Sequence, residues 1–298
     1  MQSAEPATMV NFDLLLNAVV TGILLGGFYA AVTIGITIAF GMLDIVNIAH
    51  PVFIIMGSFI AYIVNRLFGV DPILTVIVAS PLFFLLGVAI FRFYYAAFES
   101  SGKGSLRGLA FFFGILFVVE VTLLLAFGVD YRLVQTSYIG PNVGFGHVDL
   151  PLRMVVPFVG SMALVSGLHI FFSRTFVGRA IMAVAQDEFA LSLMAVDTVA
   201  IKQLAFGIAI ATAAIAGGFL IVIQPVDPSL GREYIGRVFA ICVLGGMGSI
   251  TGTVIAAFIL GVVETITSTL IGPSWAPAVS FAALLLTLAV KPSGIMGR

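Results

Sequence analysis

Charge is the scarcest commodity in this sequence. Only 9% of its 298 residues are Asp, Glu, Lys or Arg, where soluble domains carry about 25%. Thirteen basic and fourteen acidic residues leave a formal net charge of -1, so no basic bias marks a nucleic-acid partner. One cysteine, Cys242, excludes a disulfide framework within the chain and most thiolate metal sites. The three histidines, His50, His147 and His169, are too scattered for a metal cluster. No phosphate-cradling Gly-Lys-Ser/Thr loop is present, so any ATP is hydrolysed by another chain. No nucleophile–base set stands out either, and the expectation is a protein that is not an enzyme and needs no cofactor or metal of its own.

What the sequence has instead is apolar length. Hydrophobic residues make up 61% of the chain and the mean hydropathy is +1.20. A water-soluble core of this size cannot hide that much apolar surface, so the solvent is lipid. The apolar runs are long and do not alternate, which predicts helices rather than barrel strands. The fold class is therefore all-α, a polytopic membrane helix bundle. Spans are expected near 14–40, 51–67, 72–98, 106–128, 151–173, 202–224, 250–271 and 275–290. A ninth apolar piece, 234–246, rises only about 20 Å as a helix. It reads as a half-helix that enters the membrane and breaks at Gly245-Gly246-Met247-Gly248-Ser249.

Orientation follows from Lys and Arg. Arg92, Lys103 and Arg107, then Arg174, Arg179 and Lys202, then Lys291 and Arg298 all fall on one side, the expected cytoplasmic side. Arg66, Arg132, Arg153, Arg232 and Arg237 fall on the other, beside Asp71, Asp130, Asp149, Asp227 and Glu233. The N-terminus is thus expected outside and the C-terminus in the cytoplasm. Residues 1–8 are polar and lack the basic region of a signal peptide; Met9, where the apolar pattern begins, is an alternative start. The outer loop 129–150 is expected to cap the outer mouth. The inner loop 174–201 contains Gly178-Arg179-Ala180-Ile181-Met182-Ala183-Val184-Ala185-Gln186-Asp187-Glu188 and reads as a short helix on the cytoplasmic surface.

The chain reads as one domain, 1–298, with pseudo-halves of roughly 10–128 and 129–298. Phe40 to Pro51 interrupts an early apolar stretch as Leu244 to Thr251 interrupts a late one. Paired breaks in two halves point to a transport path. Asp44, Asn47 and His50 are spaced three apart and would share a face on a helical turn. There they either line a path or cap the break, and both can hold. Gly245, Gly246 and Gly248 let a backbone approach a solute or a neighbouring helix, with Ser249 the only side-chain chemistry nearby. Glu120 and Glu264 lie within apolar runs, where an acid needs a partner or a cavity. Proton coupling and a structural hydrogen bond are the two readings. The first would make this a stand-alone secondary transporter or channel, with His50 a further coupling group.

Four segments together are similar to the LivH-type permeases of branched-chain amino-acid ABC importers. They are Gly41-Met42-Leu43-Asp44-Ile45-Val46-Asn47-Ile48-Ala49-His50, the loop Gly178 to Asp187, the late Val243-Leu244-Gly245-Gly246-Met247-Gly248-Ser249-Ile250-Thr251-Gly252, and the closing Lys291-Pro292-Ser293-Gly294-Ile295-Met296-Gly297-Arg298. The resemblance spans nearly the whole chain. It implies an inner-membrane subunit paired with a second, LivM-like permease, driven by two cytoplasmic ATPase subunits and fed by a periplasmic solute-binding protein. It implies hydrophobic amino acids as cargo, with urea or short amides carried by close relatives. It also implies that Gly178, Arg179, Gln186, Asp187 and Glu188 dock into an ATPase groove. Two positions depart from the family pattern: Pro51, where Gly is frequent, and Met182, where a basic residue is frequent.

Overall fold

Lipid offers no partner for a bare N–H or C=O, so each long apolar run must satisfy its own backbone as a helix. The computed structural model describes residues 12–99, 104–145 and 148–297; Met9, Lys103, His147 and Arg298 lie outside the described residues. The principal helices are α1 (Phe12–Ala39), α2 (His50–Phe68), α3 (Pro72–Ala97), α4 (Gly104–Phe127), α5 (Leu152–Arg174), α6 (Phe176–Val184), α7 (Glu188–Leu193), α8 (Thr198–Ile223), α9 (Leu230–Gly245), α10 (Ile250–Leu270) and α11 (Ala276–Val290). Eight helices among the described residues are long and apolar enough to cross a membrane. The short α9 is not among them: its 16 residues rise about 24 Å.

Side-chain caps mark where several helices start. The Asp71 carboxylate accepts from Ile73 N at 2.9 Å at the head of α3, Asp197 from Ala200 N at 3.0 Å at α8, and Ser249 Oγ from Gly252 N at 3.1 Å at α10. Such caps are each worth about 1 kcal/mol.

α1 and α8 are the most enclosed spans and α11 the least. Close packing of α1 on α10 rests on small residues: a Cβ at Gly22 would stand 2.6 Å from Val262 Cα, and one at Gly26 2.7 Å from Phe258 Cα. Between apolar helices in lipid, such close approach is what drives association. α2 meets α8 similarly, with Ser58 Oγ donating to Gly217 O at 2.7 Å.

Alternation of the spans gathers both breaks, the α6–α7 segment and residues 291–297 at one end of the bundle. The other end holds the 129–151 connection. It includes a feature absent from the sequence reading, an antiparallel hairpin of β1 (Asn142–Phe145) and β2 (Val148–Pro151). Four-residue strands beside Gly and Pro carry too little alternation to register in sequence. Asp149 N donates to Asn17 Oδ1 at 3.0 Å, and Arg132 pairs with Val226 in an isolated bridge, so this connection is fastened to α1 and to the approach to α9. Tyr138 Oη donates to Asp71 Oδ2 at 2.6 Å; burial first, then that bond, raises the phenol pKa above its ordinary value.

Candidate functional site

The first break is not a helical turn, so Asp44, Asn47 and His50 do not share one face. Turn backbone over residues 40–43 gives way to an irregular stretch before α2. Asp44 has φ +56°, a left-handed conformation that Asp tolerates better than most residues, and its side chain is exposed. Asn47 and His50 are fully buried. Asn47 Oδ1 accepts from Ala49 N at 3.1 Å, an Asx turn that sets the entry to α2. His50 Nε2 donates to Val32 O at 3.3 Å, tying α2 to α1. Asn47 Nδ2 and His50 Nδ1 have no hydrogen-bond partner among the described residues. Pro51 occupies the first turn of α2, where a missing N–H costs nothing.

The second break is made of backbone. Gly246 and Gly248 have φ of +97° and +81°, which a side chain would resist. Ser249 caps α10. The carbonyls at the end of α9 are satisfied from the far end of the chain: Ile295 N donates to Leu244 O at 2.8 Å and Met296 N to Gly245 O at 3.1 Å.

The two breaks touch. A Cβ on Gly41 would stand 2.1 Å from Gly248 N, and one on Gly248 2.7 Å from Gly41 O. One turn back along α1, Thr37 Oγ1 is 2.9 Å from Thr253 Oγ1, with Cys242 Sγ beside it at 3.9 Å. A cavity of about 790 Å³ opens at this junction. Gly41 and Met42 line it from the first break and Met247 to Thr251 from the second; His169 and Ser173 of α5 and Met182 and Gln186 of the inner loop close the rest. Two breaks and a surface loop thus border one space.

The inner loop is ordered by internal contacts. α6 folds back against α5, and a Cβ on Gly178 would stand 2.2 Å from Phe171 O, so only glycine permits the fold-back. Ile181 and Val184 bury the same face, and Arg179 is exposed. Asp187 Oδ1 caps α7 by accepting from Ala190 N at 2.9 Å. Glu188 pairs with Lys202 at 2.7 Å, and Lys202 also pairs with Glu99 at 2.8 Å, binding the loop to α8 and to the segment just after α3. Around these, Phe176, Phe189, Leu193 and Met194 are exposed.

Glu120 and Glu264 lie away from the junction, each held by an arginine. Arg232 reaches Glu120 at 2.5 Å, joining α4 to the start of α9. Arg237 donates to Glu264 Oε1 through Nη2 at 2.8 Å and Nε at 3.0 Å, and the guanidinium lies over Tyr29 and Tyr234 at 5.3 and 4.9 Å. Glu264 is 14 residues into α10, about 20 Å from the break by helical rise. These arginine partners, Lys202 and the 291–297 segment are the participants that sequence reasoning missed. A signal existed for the first, since a lone acid in an apolar helix calls for a cation on a neighbouring one. Among the described residues no group of His, Cys, Asp and Glu is arranged to hold a metal.

A helical bundle whose two backbone breaks touch and border one cavity has an architecture that fits a membrane transport permease. The family described as the branched-chain amino acid transport system permease component matches residues 18–288, and the chain belongs to it. It is 28% identical to the high-affinity branched-chain amino acid transport system permease protein BraD of Pseudomonas aeruginosa, over 95% of this chain and 96% of that protein. It is also 28% identical to the corresponding protein LivH of Escherichia coli K12, over 97% of each. The probable branched-chain amino acid transport permease protein LivH of Methanocaldococcus jannaschii is 22% identical, over 89% and 87%. No solved structure matches the chain significantly.

Proposed function

We propose that this chain is the permease subunit of an ATP-driven importer for branched-chain or other hydrophobic amino acids, and that the junction cavity is the inner mouth of its path. The carrying observation is convergence: both breaks and the inner loop border one cavity. A movement of the loop would therefore reach both breaks directly. The relatives' names support the cargo; urea and short amides are the alternative within the same reading.

In this reading the chain sits in a bacterial cytoplasmic membrane, N-terminus outside and C-terminus inside, as the distribution of Lys and Arg favours. It works with a LivM-like second permease, two cytoplasmic ATPase subunits and a periplasmic binding protein. Arg179, Gln186 and the exposed apolar residues of α6 and α7 would meet the ATPase, while Gly178, Asp187 and Glu188 hold the loop in shape. The Ser249 hydroxyl, in the wall of the junction cavity, would offer a neutral polar group to a passing solute. A stand-alone secondary transporter is less favoured, because both intramembrane acids are committed to arginines.

Reconstitution in liposomes tests the proposal. Uptake of labelled leucine is expected only with all partners and ATP present, and competition by valine, isoleucine, urea and acetamide ranks the cargo. Full-rate uptake by this chain alone, without ATP, overturns it.

A further inference from the structure

A smaller cavity of about 400 Å³ lies at the end of the bundle opposite the breaks, between the last turns of α2 and α4. Its wall sets two arginines around one ring. The Arg66 guanidinium stands 6.0 Å from the Tyr62 centroid and that of Arg132 stands 5.9 Å from it. Arg66 Nη1 donates to Tyr62 Oη at 3.0 Å. Arg132 is fixed twice, by its backbone pairing with Val226 and by Nη2, which donates to Phe127 O at 2.7 Å. Ile63, Leu67 and Phe127 complete the wall.

The two cations are under-compensated. Asp130 reaches Arg132 only at 3.8 Å, with its own side chain 79% exposed, and Arg66 has no acidic partner among the described residues. Arg132 Nε is buried without a hydrogen-bond partner among the described residues. Two guanidinium forks with donors to spare, in a concavity of net positive charge, match the oxygens of a phosphate.

The surroundings say where such a phosphate comes from. Leu67, Phe68, Leu125, Val129 and Tyr131 are exposed around the pocket. Apolar side chains that give way to Tyr and Arg at helix ends mark the level where hydrocarbon meets headgroups. α4 also carries Phe113, Phe117 and Val121 exposed along its length, an apolar face on which acyl chains can lie.

We propose that the α2–α4 groove binds the phosphate of an anionic phospholipid, held by Arg66 and Arg132 beside Tyr62, with acyl chains along α4. The site is independent of the transport reading. Through the Arg132–Val226 bridge its occupant bears on the segment that leads into α9.

The test uses the purified full chain in mild detergent, titrated with phosphatidylglycerol, phosphatidylcholine or inorganic phosphate and read by native mass spectrometry. Phosphatidylglycerol is expected to bind about tenfold more tightly than phosphatidylcholine, and R66Q/R132Q to lose about tenfold in affinity for it. Because Arg132 also fastens the end of α4, Arg66→Gln alone is the second variant. It keeps that bond and is expected to lose at least about threefold with an unchanged melting temperature. Equal phosphatidylglycerol binding by the wild type and Arg66→Gln overturns the site. Equal binding of the two lipids overturns selection by charge. Displacement of the lipid by an equal concentration of inorganic phosphate reassigns the pocket to a free anion and overturns the lipid proposal.

Discussion

α1, α9 and α10 meet at two levels, and the two meetings are made of different materials. At one, Tyr29 of α1, Arg237 of α9 and Glu264 of α10 join through an ion pair and a guanidinium lying over the Tyr29 ring. At the other, Gly41, the Gly245–Ser249 turn and the head of α10 meet through bare backbone and hydroxyls, with no charge between them. A buried ion pair resists separation, because parting it leaves a charge in a medium of low dielectric. Backbone packed on backbone has no such penalty for a small slide. The same three helices are thus pinned at one level and left free to adjust where the cavity opens.

The largest effect should come from unpinning. Glu264→Leu leaves Arg237 buried without its counter-charge and is expected to cost about 3–5 kcal/mol, read as a fall in melting temperature in detergent. The double variant E264L/R237L should recover much of that loss; if it melts as low as the single variant, the pair is not what joins the helices. Next comes the junction. Gly41→Val places a side chain where a Cβ already stands 2.1 Å from Gly248 N, with an expected loss of about 2–3 kcal/mol. Uptake by the reconstituted assembly should stop, and full activity would show that the breaks need not touch.

A smaller effect follows from ending the chain after Ser293. The carbonyls of Leu244 and Gly245 then lose their donors, at about 1–2 kcal/mol, and amide exchange over 243–249 should quicken while that around Arg237 stays slow. Smallest is Asp44→Gly, which relieves a left-handed φ and should add about 1 kcal/mol of stability. Asn47→Ala, three residues on, removes the Asx turn and should subtract about as much. If both lower the melting temperature, the Asp44 side chain has a role its exposure does not reveal.

The spans were legible because each is a long uniform apolar run, and the observed helices begin and end within a few residues of the expected ones. The breaks were legible because glycines, or an Asp–Asn–His set, punctuate those runs. Their contact was not, since nothing local in Gly41 points to Gly248 more than two hundred residues later. Lys202 shows the same limit: the sequence places it in a basic loop, and only packing reveals Glu99 and Glu188 around its ammonium. The three-residue spacing of Asp44, Asn47 and His50 suggested a helical face, but the left-handed turn at Asp44 sends its side chain outward while the other two turn in. Glu264 could be recognised as needing a partner; choosing Arg237 required knowing how α9 lies on α10.

The strand of chain that closes α9 has a bearing on biosynthesis. Leu244 and Gly245 receive their donors from Ile295 and Met296, so the turn that borders the cavity is still half-made when α10 leaves the ribosome. It can be completed only after α11 has inserted. The Arg237–Glu264 pair needs nothing beyond α10 and can form first. Assembly of α9 and α10 therefore has an order, with the pinned level set early and the adjustable one finished last.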